Sequence, residues 1–191
     1  MAARTRVSLA ANAPYIIRID DLLSPEECKQ HLDFLRRQQL AQAKVISASG
    51  AQRYKPELRS HLIAEREDRE LADALTTRIA PHAPEVIEGA RFDAINPMWR
   101  YFLYEQGDYF GPHTDIGWRD DKHLTRMTLL VYLNDDFTGG ATRFHVSPEL
   151  EITPEPGMAL LFQHAIIHEG LEITSGVKAV LRSEVFYRQD A

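Results

Sequence analysis

Tyr104-Glu105-Gln106-Gly107-Asp108-Tyr109-Phe110-Gly111-Pro112-His113-Thr114-Asp115 is the stretch on which the reading of this chain turns. Extended backbone alternates its side chains, so His113 and Asp115 fall on one face. An imidazole and a carboxylate then aim at a single point. Gly107 and Gly111 bracket Tyr109 and Phe110, a pattern that lets backbone come close to something buried. A His-x-Asp pair by itself is common, and the residues around it must decide whether it is a site.

A third ligand has to come from far along the chain, and His168 in His164-Ala165-Ile166-Ile167-His168-Glu169-Gly170 is the candidate. His164 competes with it; the Glu169-Gly170 that follows favours His168, but spacing alone does not separate the two. Two histidines and one carboxylate on one side of a metal leave the opposite side open, the arrangement of non-haem Fe(II) oxygenases. Lys178 opens a largely apolar run through Tyr187, and the period of two puts Lys178, Val180, Arg182 and Glu184 on one face. Three charges on one strand face mean either solvent or a polar site, and an inward lysine needs an anion. Thr128-Leu129-Leu130-Val131-Tyr132-Leu133 is apolar on both faces and reads as a central strand. Thr128 and Tyr132 share a face, where their hydroxyls need buried partners.

Working outward, Met98 to Tyr104, Met127 to Asn134, Ala141 to Val146, Met158 to Phe162 and Lys178 to Arg188 read as short strands separated by Gly, Pro, Asn and Asp turns. Regular strands without intervening helices predict a sandwich or jelly roll. Upstream, Tyr15 to Ile19 is a strand. Ser24, Pro25 and Glu27 form a helix start with a capping box, and Cys28, Leu32 and Leu35 make its buried stripe. Asp68 to Ala80 is a second helix, stopped by Pro81 and Pro84. Residues 41–60 read as a hairpin or loop, a candidate lid if it lies near the site. His31, His61, His82, His123 and His145 sit in settings that read as surface or partly exposed, with His145 one strand from the cavity.

The 191 residues are enough for one domain with a real core. The expected organisation is a single domain over 1–191, with about 1–90 supplying an N-terminal strand and helices and about 91–191 the jelly-roll core. Hydrophobic content of 44% and charged content of 26% are ordinary globular values, and the net charge of −6 argues against a nucleic-acid partner. Cys28 is the only cysteine, so an intrachain disulfide and a Cys-based zinc site are both excluded. Met1 to Ala13 lacks a signal-peptide core, and no run approaches the roughly 18 apolar residues of a membrane span. The expectation is a cytoplasmic protein.

Taken together, Tyr104, His113-Thr114-Asp115, Tyr132-Leu133-Asn134-Asp135, Gly139-Gly140-Ala141-Thr142-Arg143-Phe144, Pro156-Gly157, His168-Glu169-Gly170 and Gly176-Val177-Lys178 resemble the prolyl 4-hydroxylase-like branch of the Fe(II)/2-oxoglutarate dioxygenases. The resemblance covers roughly Arg100 to Arg188, with Leu23 to Cys28 similar to the family's entry helix. It implies a mostly β fold with flanking helices around a double-stranded β-helix of jelly-roll, cupin-like type, with His113, Asp115 and His168 on iron. It further implies Lys178 on the far carboxylate of 2-oxoglutarate, and Tyr104, Thr128 and Tyr132 lining or hydrogen-bonding that co-substrate. The acid that often follows the family's second glycine is Ala141 here, so any role of that acid is absent.

The implied activity is hydroxylation of a C–H bond with O2, releasing succinate and CO2, and ascorbate is often needed to keep such iron reduced. The presence of Asp115 favours hydroxylation over halogenation, since related halogenases carry a small residue there. The substrate is expected to be a prolyl or other peptidyl residue, or a free amino acid or small metabolite. Arg182, Glu184 and Trp118 are the candidate substrate contacts, because a guanidinium near iron suits a carboxylate. The alternative is a catalytically silent protein that senses iron and 2-oxoglutarate.

Overall fold

The strand Lys178–Gln189 is the spine of the fold, because its length lets it pair along both edges. It lies between His123–Tyr132 and Met98–Tyr104, antiparallel to each. The computed structural model describes residues 6–8, 15–46, 52–120 and 122–189. Within them the larger sheet continues past His123–Tyr132 through Ala159–Gln163, Tyr15–Ile19 and Arg6–Ser8. On the other flank it continues through Leu62–Glu67 and Ala41–Gln42. A smaller sheet faces it, in the order Phe110–His113, His168–Gly170, Thr142–Phe144 and Leu150–Ile152. This is the expected jelly roll.

Alternation along the central strands builds two cores from the same residues. On His123–Tyr132, Met127, Leu129 and Val131 point to the helix side, where Leu75, Ile79, Trp99 and Leu181 join them. Leu130 and Tyr132 point the other way, into a layer with Phe102, Phe144, Phe162 and Val180 between the two sheets. Removing a buried leucine such as Leu129 would cost about 2–5 kcal/mol, since both layers share its strand.

The helices form as their end signals require. Pro25–Leu35 is capped by Ser24, whose hydroxyl accepts from Glu27 N at 3.2 Å while the Glu27 carboxylate accepts from Ser24 N at 2.8 Å. Arg69–Ile79 is capped by Asp68, which accepts from Leu71 N at 3.0 Å, and Ala80 closes it. Arg78 of the second helix meets Glu27 of the first at 2.6 Å. That contact and the cap hold the Glu27 carboxyl down to about 2. Cys28 and Leu35 are buried, and Leu32 is half-buried against the same core.

Several strands differ from the sequence reading. The central strand begins at His123, ahead of Met127, because a bulge between Thr125 and Met127 lets the pairing with the spine run on. The strand read as Ala141 to Val146 is only Thr142–Phe144. Leu62–Glu67, unread in the sequence because its charged half does not alternate, is drawn into the sheet by pairing with Met98–Tyr104. In the 41–60 segment, Val45–Ile46 pairs with Gln52–Arg53, while 47–51 lie outside the described residues. No helix among the described residues is long and apolar enough to cross a membrane.

Candidate metal centre and cavity

His113 and His168 meet because their strands are neighbours. They are directly paired in the antiparallel register of the small sheet, with Phe144 opposite His168 on its other side. Each imidazole is oriented by a carbonyl two residues upstream: His113 Nδ1 lies 2.8 Å from Gly111 O in its own strand, and His168 Nδ1 lies 2.9 Å from Ile166 O in the turn before its strand. A ring that donates from Nδ1 leaves an unprotonated Nε2 free to act as a ligand. Those Nε2 atoms stand 3.9 Å from the two oxygens of Asp115, and the three donor groups lie within 4.8 Å of one another. Burial, with the second imidazole nearby, pulls His113 down to about 4, and burial lowers His168 as well. The donors are therefore in their ligating protonation states at neutral pH, and a facial set of two imidazoles and a carboxylate fits Fe(II).

The aspartate is held from outside. Burial alone would raise its pKa, but the Arg182 guanidinium, the two imidazoles and the Thr128 hydroxyl together push it well below the carboxylate range. Arg182 Nη2 sits 3.2 Å from Asp115 Oδ1, and Thr128 Oγ1 donates to Oδ2. Arg182 Nη1 also reaches Glu184 at 2.5 Å. Glu184 in turn accepts from Arg100 at 2.6 Å and from Asn96 Nδ2 at 2.9 Å. Arg100 ends the series on Glu65 at 3.0 Å. The polar face read on the last strand is thus a buried relay of alternating charge rather than a wet edge.

At the other end of the same face is Lys178, 3% exposed. Its ammonium donates to Gly140 O and lies 5.4 and 5.3 Å from the rings of Tyr104 and Tyr132. Burial lowers it to about 7. Among the described residues no carboxylate pairs with it, so an anion is what this end of the cavity lacks. Tyr132 OH is 2.6 Å from Thr142 Oγ1. Gly140, at φ +65°, makes the pocket possible: a Cβ there would lie 2.4 Å from Ile173 Cδ1 and 3.2 Å from Lys178 Cδ.

One cavity of about 440 Å³, including its open mouth, connects the two ends, lined by Tyr104, His113, Asp115, Tyr132, His168, Lys178 and Arg182 among others. Thr128 and Glu184 stand behind that lining and act on Asp115 and Arg182. Trp118 is 39% exposed and packs edge-on to Phe186 at 5.0 Å, away from the cavity lining. His164, the competitor of His168, is buried in the turn, and its carbonyl accepts from Asp115 N at 3.0 Å. His145 lies 3.2 Å from Glu169 and 3.6 Å from Glu149, and His123 bridges Asp93 and Asp120. His61 corrects the sequence reading. It is fully buried, among the rings of Phe102, Tyr104 and Phe110, because the unread strand Leu62–Glu67 carries it inside.

Several polar residues of the site were not singled out in the sequence: Thr142, Arg100, Asn96 and the Gly140 carbonyl. Only Thr142 and Gly140 lay in a stretch already quoted. Arg100 and Asn96 carry no local signal, since their partner Glu184 comes from the other end of the chain.

Residues 99–183 match the 2OG-Fe(II) oxygenase superfamily. Prolyl 4-hydroxylase 1 of Arabidopsis thaliana is 27% identical over 196 aligned positions, covering 87% of this chain and 66% of the plant protein. A prolyl hydroxylase from Trichoplax adhaerens, solved with a hypoxia inducible factor oxygen degradation domain peptide fragment, superposes with a TM-score of 0.71 at 17% identity, covering 90% of this chain and 83% of that one. A prolyl-4-hydroxylase of Pseudomonas putida gives a TM-score of 0.65 at 18% identity, with coverages of 92% and 93%.

Proposed function

We propose that this chain, a prolyl 4-hydroxylase-like member of the 2OG-Fe(II) oxygenases, hydroxylates a C–H bond of a peptidyl residue or a free amino acid. The observation that carries the reading is the cavity itself. One end gathers His113, Asp115 and His168, and the other presents a buried ammonium that lacks an anion.

His113, Asp115 and His168 would hold the iron. Iron(II) bound there supplies the redox chemistry by which O2 and 2-oxoglutarate become succinate and CO2 while one oxygen atom enters the substrate C–H bond. Lys178 takes the far carboxylate of the keto acid, and the Tyr104 and Tyr132 rings wall it from water. Asp115 stays ionised because Arg182 and Thr128 hold its two oxygens, so its charge is available to the metal across the working pH range. Arg182 fixes that carboxylate and is itself fixed by Glu184. Trp118 is proposed as a contact for substrate only outside the cavity. A peptidyl substrate is favoured by exposed apolar side chains next to the ligands in sequence: Ile116 follows Asp115 and Ile167 precedes His168, and they are 58% and 48% exposed.

The test is succinate formation from 2-oxoglutarate by protein loaded anaerobically with Fe(II) and then given O2. His113→Ala and Asp115→Ala should abolish it. Unchanged turnover in either variant refutes the assignment, and stoichiometric 2-oxoglutarate binding without succinate across a substrate panel would indicate a sensor.

A further inference from the structure

The two guanidinium groups that meet Glu184 are matched by carboxylates: Arg100 by Glu65 and Glu184, and Arg182 by Glu184 and Asp115. Arg182 is therefore already paired at both terminal nitrogens. Arg59 differs. The strand pairing places Glu65 beside Arg100 and Ile63 beside Phe102; just before that strand, Arg59 and His61 lie behind the cavity lining, against the rings of Phe102 and Phe110 that belong to it. Residues 58–60 are laid directly on the metal-bearing strand: Arg59 bridges to Phe110, Gly111 N donates to Leu58 O at 2.8 Å, and Ser60 N donates to Tyr109 O at 3.3 Å.

The Arg59 guanidinium lies 4.3 Å from the centre of the Phe110 ring, and that ring stacks on His113 at 3.5 Å and 12°. Its polar partners are Lys44 O at 3.3 Å and His61 Nε2 at 2.8 Å, while its buried Nε finds no hydrogen-bond partner among the described residues. His61 is neutral, since burial and the adjacent Arg59 hold it down to about 2, so it accepts from the guanidinium without cancelling its charge. Among the described residues Arg59 has no carboxylate partner. A half-buried, uncompensated cation one aromatic ring from a metal ligand is poised for an anion that arrives from outside.

We propose that Arg59 is the substrate-recognition residue, binding a carboxylate of the substrate close to the carbon that is hydroxylated. The inference rests on the hydroxylase reading above and narrows its substrate class to acids: the α-carboxylate of a free amino acid, or an acidic side chain beside the target residue of a peptide. A charge-assisted contact of this kind discriminates an acid from its amide by about tenfold or more.

The experiment incubates Fe(II)-loaded protein with 2-oxoglutarate and two mixtures, a small-molecule cell extract and a proteome digest. Products 16 Da heavier are identified by mass spectrometry. The substrate found is then compared with its carboxamide in wild type, Arg59→Gln and Arg59→Lys, after thermal melts establish that the variants fold and calorimetry establishes that they bind 2-oxoglutarate. The expected substrate carries a carboxylate near the new hydroxyl, with KM at least tenfold below that of its amide. Arg59→Gln should bring the two KM values together, and Arg59→Lys should keep part of the difference. The extract and digest arms distinguish a free acid from a peptide. A neutral substrate, or an acid-to-amide ratio unmoved by Arg59→Gln, overturns the Arg59 assignment alone. Bound 2-oxoglutarate with no product in either arm overturns the hydroxylase reading and this inference with it.

Discussion

Replacing Lys178 by methionine should strengthen the ligand-free fold while destroying co-substrate binding. The ammonium is buried with Gly140 O as its hydrogen-bond acceptor, and its pKa falls from 10.5 to about 7. Between those values the unfolded chain holds a proton that the folded chain does not, so the ligand-free protein gains stability as pH rises from 7 to 10.5. At pH 7 and below it carries the whole penalty of a buried cation. At about 1.36 kcal/mol per pH unit that penalty has an upper limit of roughly 4–5 kcal/mol, reduced by relaxation to a few. Lys178→Met keeps the shape and removes the charge, and a chain of this size should then melt about 2–4 °C higher for each kcal/mol recovered. The same change leaves the keto acid's far carboxylate buried and unpaired, which costs about 3–5 kcal/mol, or roughly 100-fold to more than 1,000-fold in Kd.

Anaerobic calorimetry between pH 6 and 9 reads the binding side. In the wild type, 2-oxoglutarate raises the lysine pKa. Affinity should therefore be flat below 7 and weaken about tenfold per unit above it, with proton uptake on binding. His113, down at about 4, does not titrate in that range. A variant that binds within threefold of wild type, or that melts lower than it, refutes the assignment of the buried ammonium as an unpartnered anion site.

Gly140→Ala should abolish measurable 2-oxoglutarate binding in the same titration, because the added methyl meets Ile173 and the Lys178 stem in a left-handed backbone. Arg182→Lys keeps a charge but cannot span Asp115 and Glu184 together, so kcat should fall at least tenfold while the KM for 2-oxoglutarate changes little, read by succinate release. Ser24→Ala should lower the unfolding free energy by about 1 kcal/mol in a urea titration, without affecting turnover. Glu27 is lowered to about 2, so its contribution is full above pH 4.5 and is lost as pH falls toward 2. Glu27→Gln should flatten that limb of an acid denaturation curve.

What could be read before the fold was known was what has a local cause. The capping box of Ser24 and Glu27, the alternation that sorts Lys178, Arg182 and Glu184 onto one face, and the His113–Asp115 pair all depend on spacing of a few residues. The choice of His168 over His164 needed register, which only the pairing with His113 supplies. His61 was misread for a similar reason. Nothing near it in sequence reveals that Leu62–Glu67 inserts beside Met98–Tyr104 and takes it inside. Arg182 lines the cavity, but its two carboxylate partners lie on separate elements, so the pairing that engages it has no local signal in the sequence.

The two imidazoles take their orientation from carbonyls two residues upstream, whereas Asp115 takes its orientation from Thr128 and Arg182 on distant strands. These contacts predict an order of assembly for the centre. Each histidine should be preset once its own short segment forms, and the carboxylate should be committed last, when the two longest strands have paired. Metal uptake in a refolding experiment would accordingly report closure of the barrel rather than its first steps.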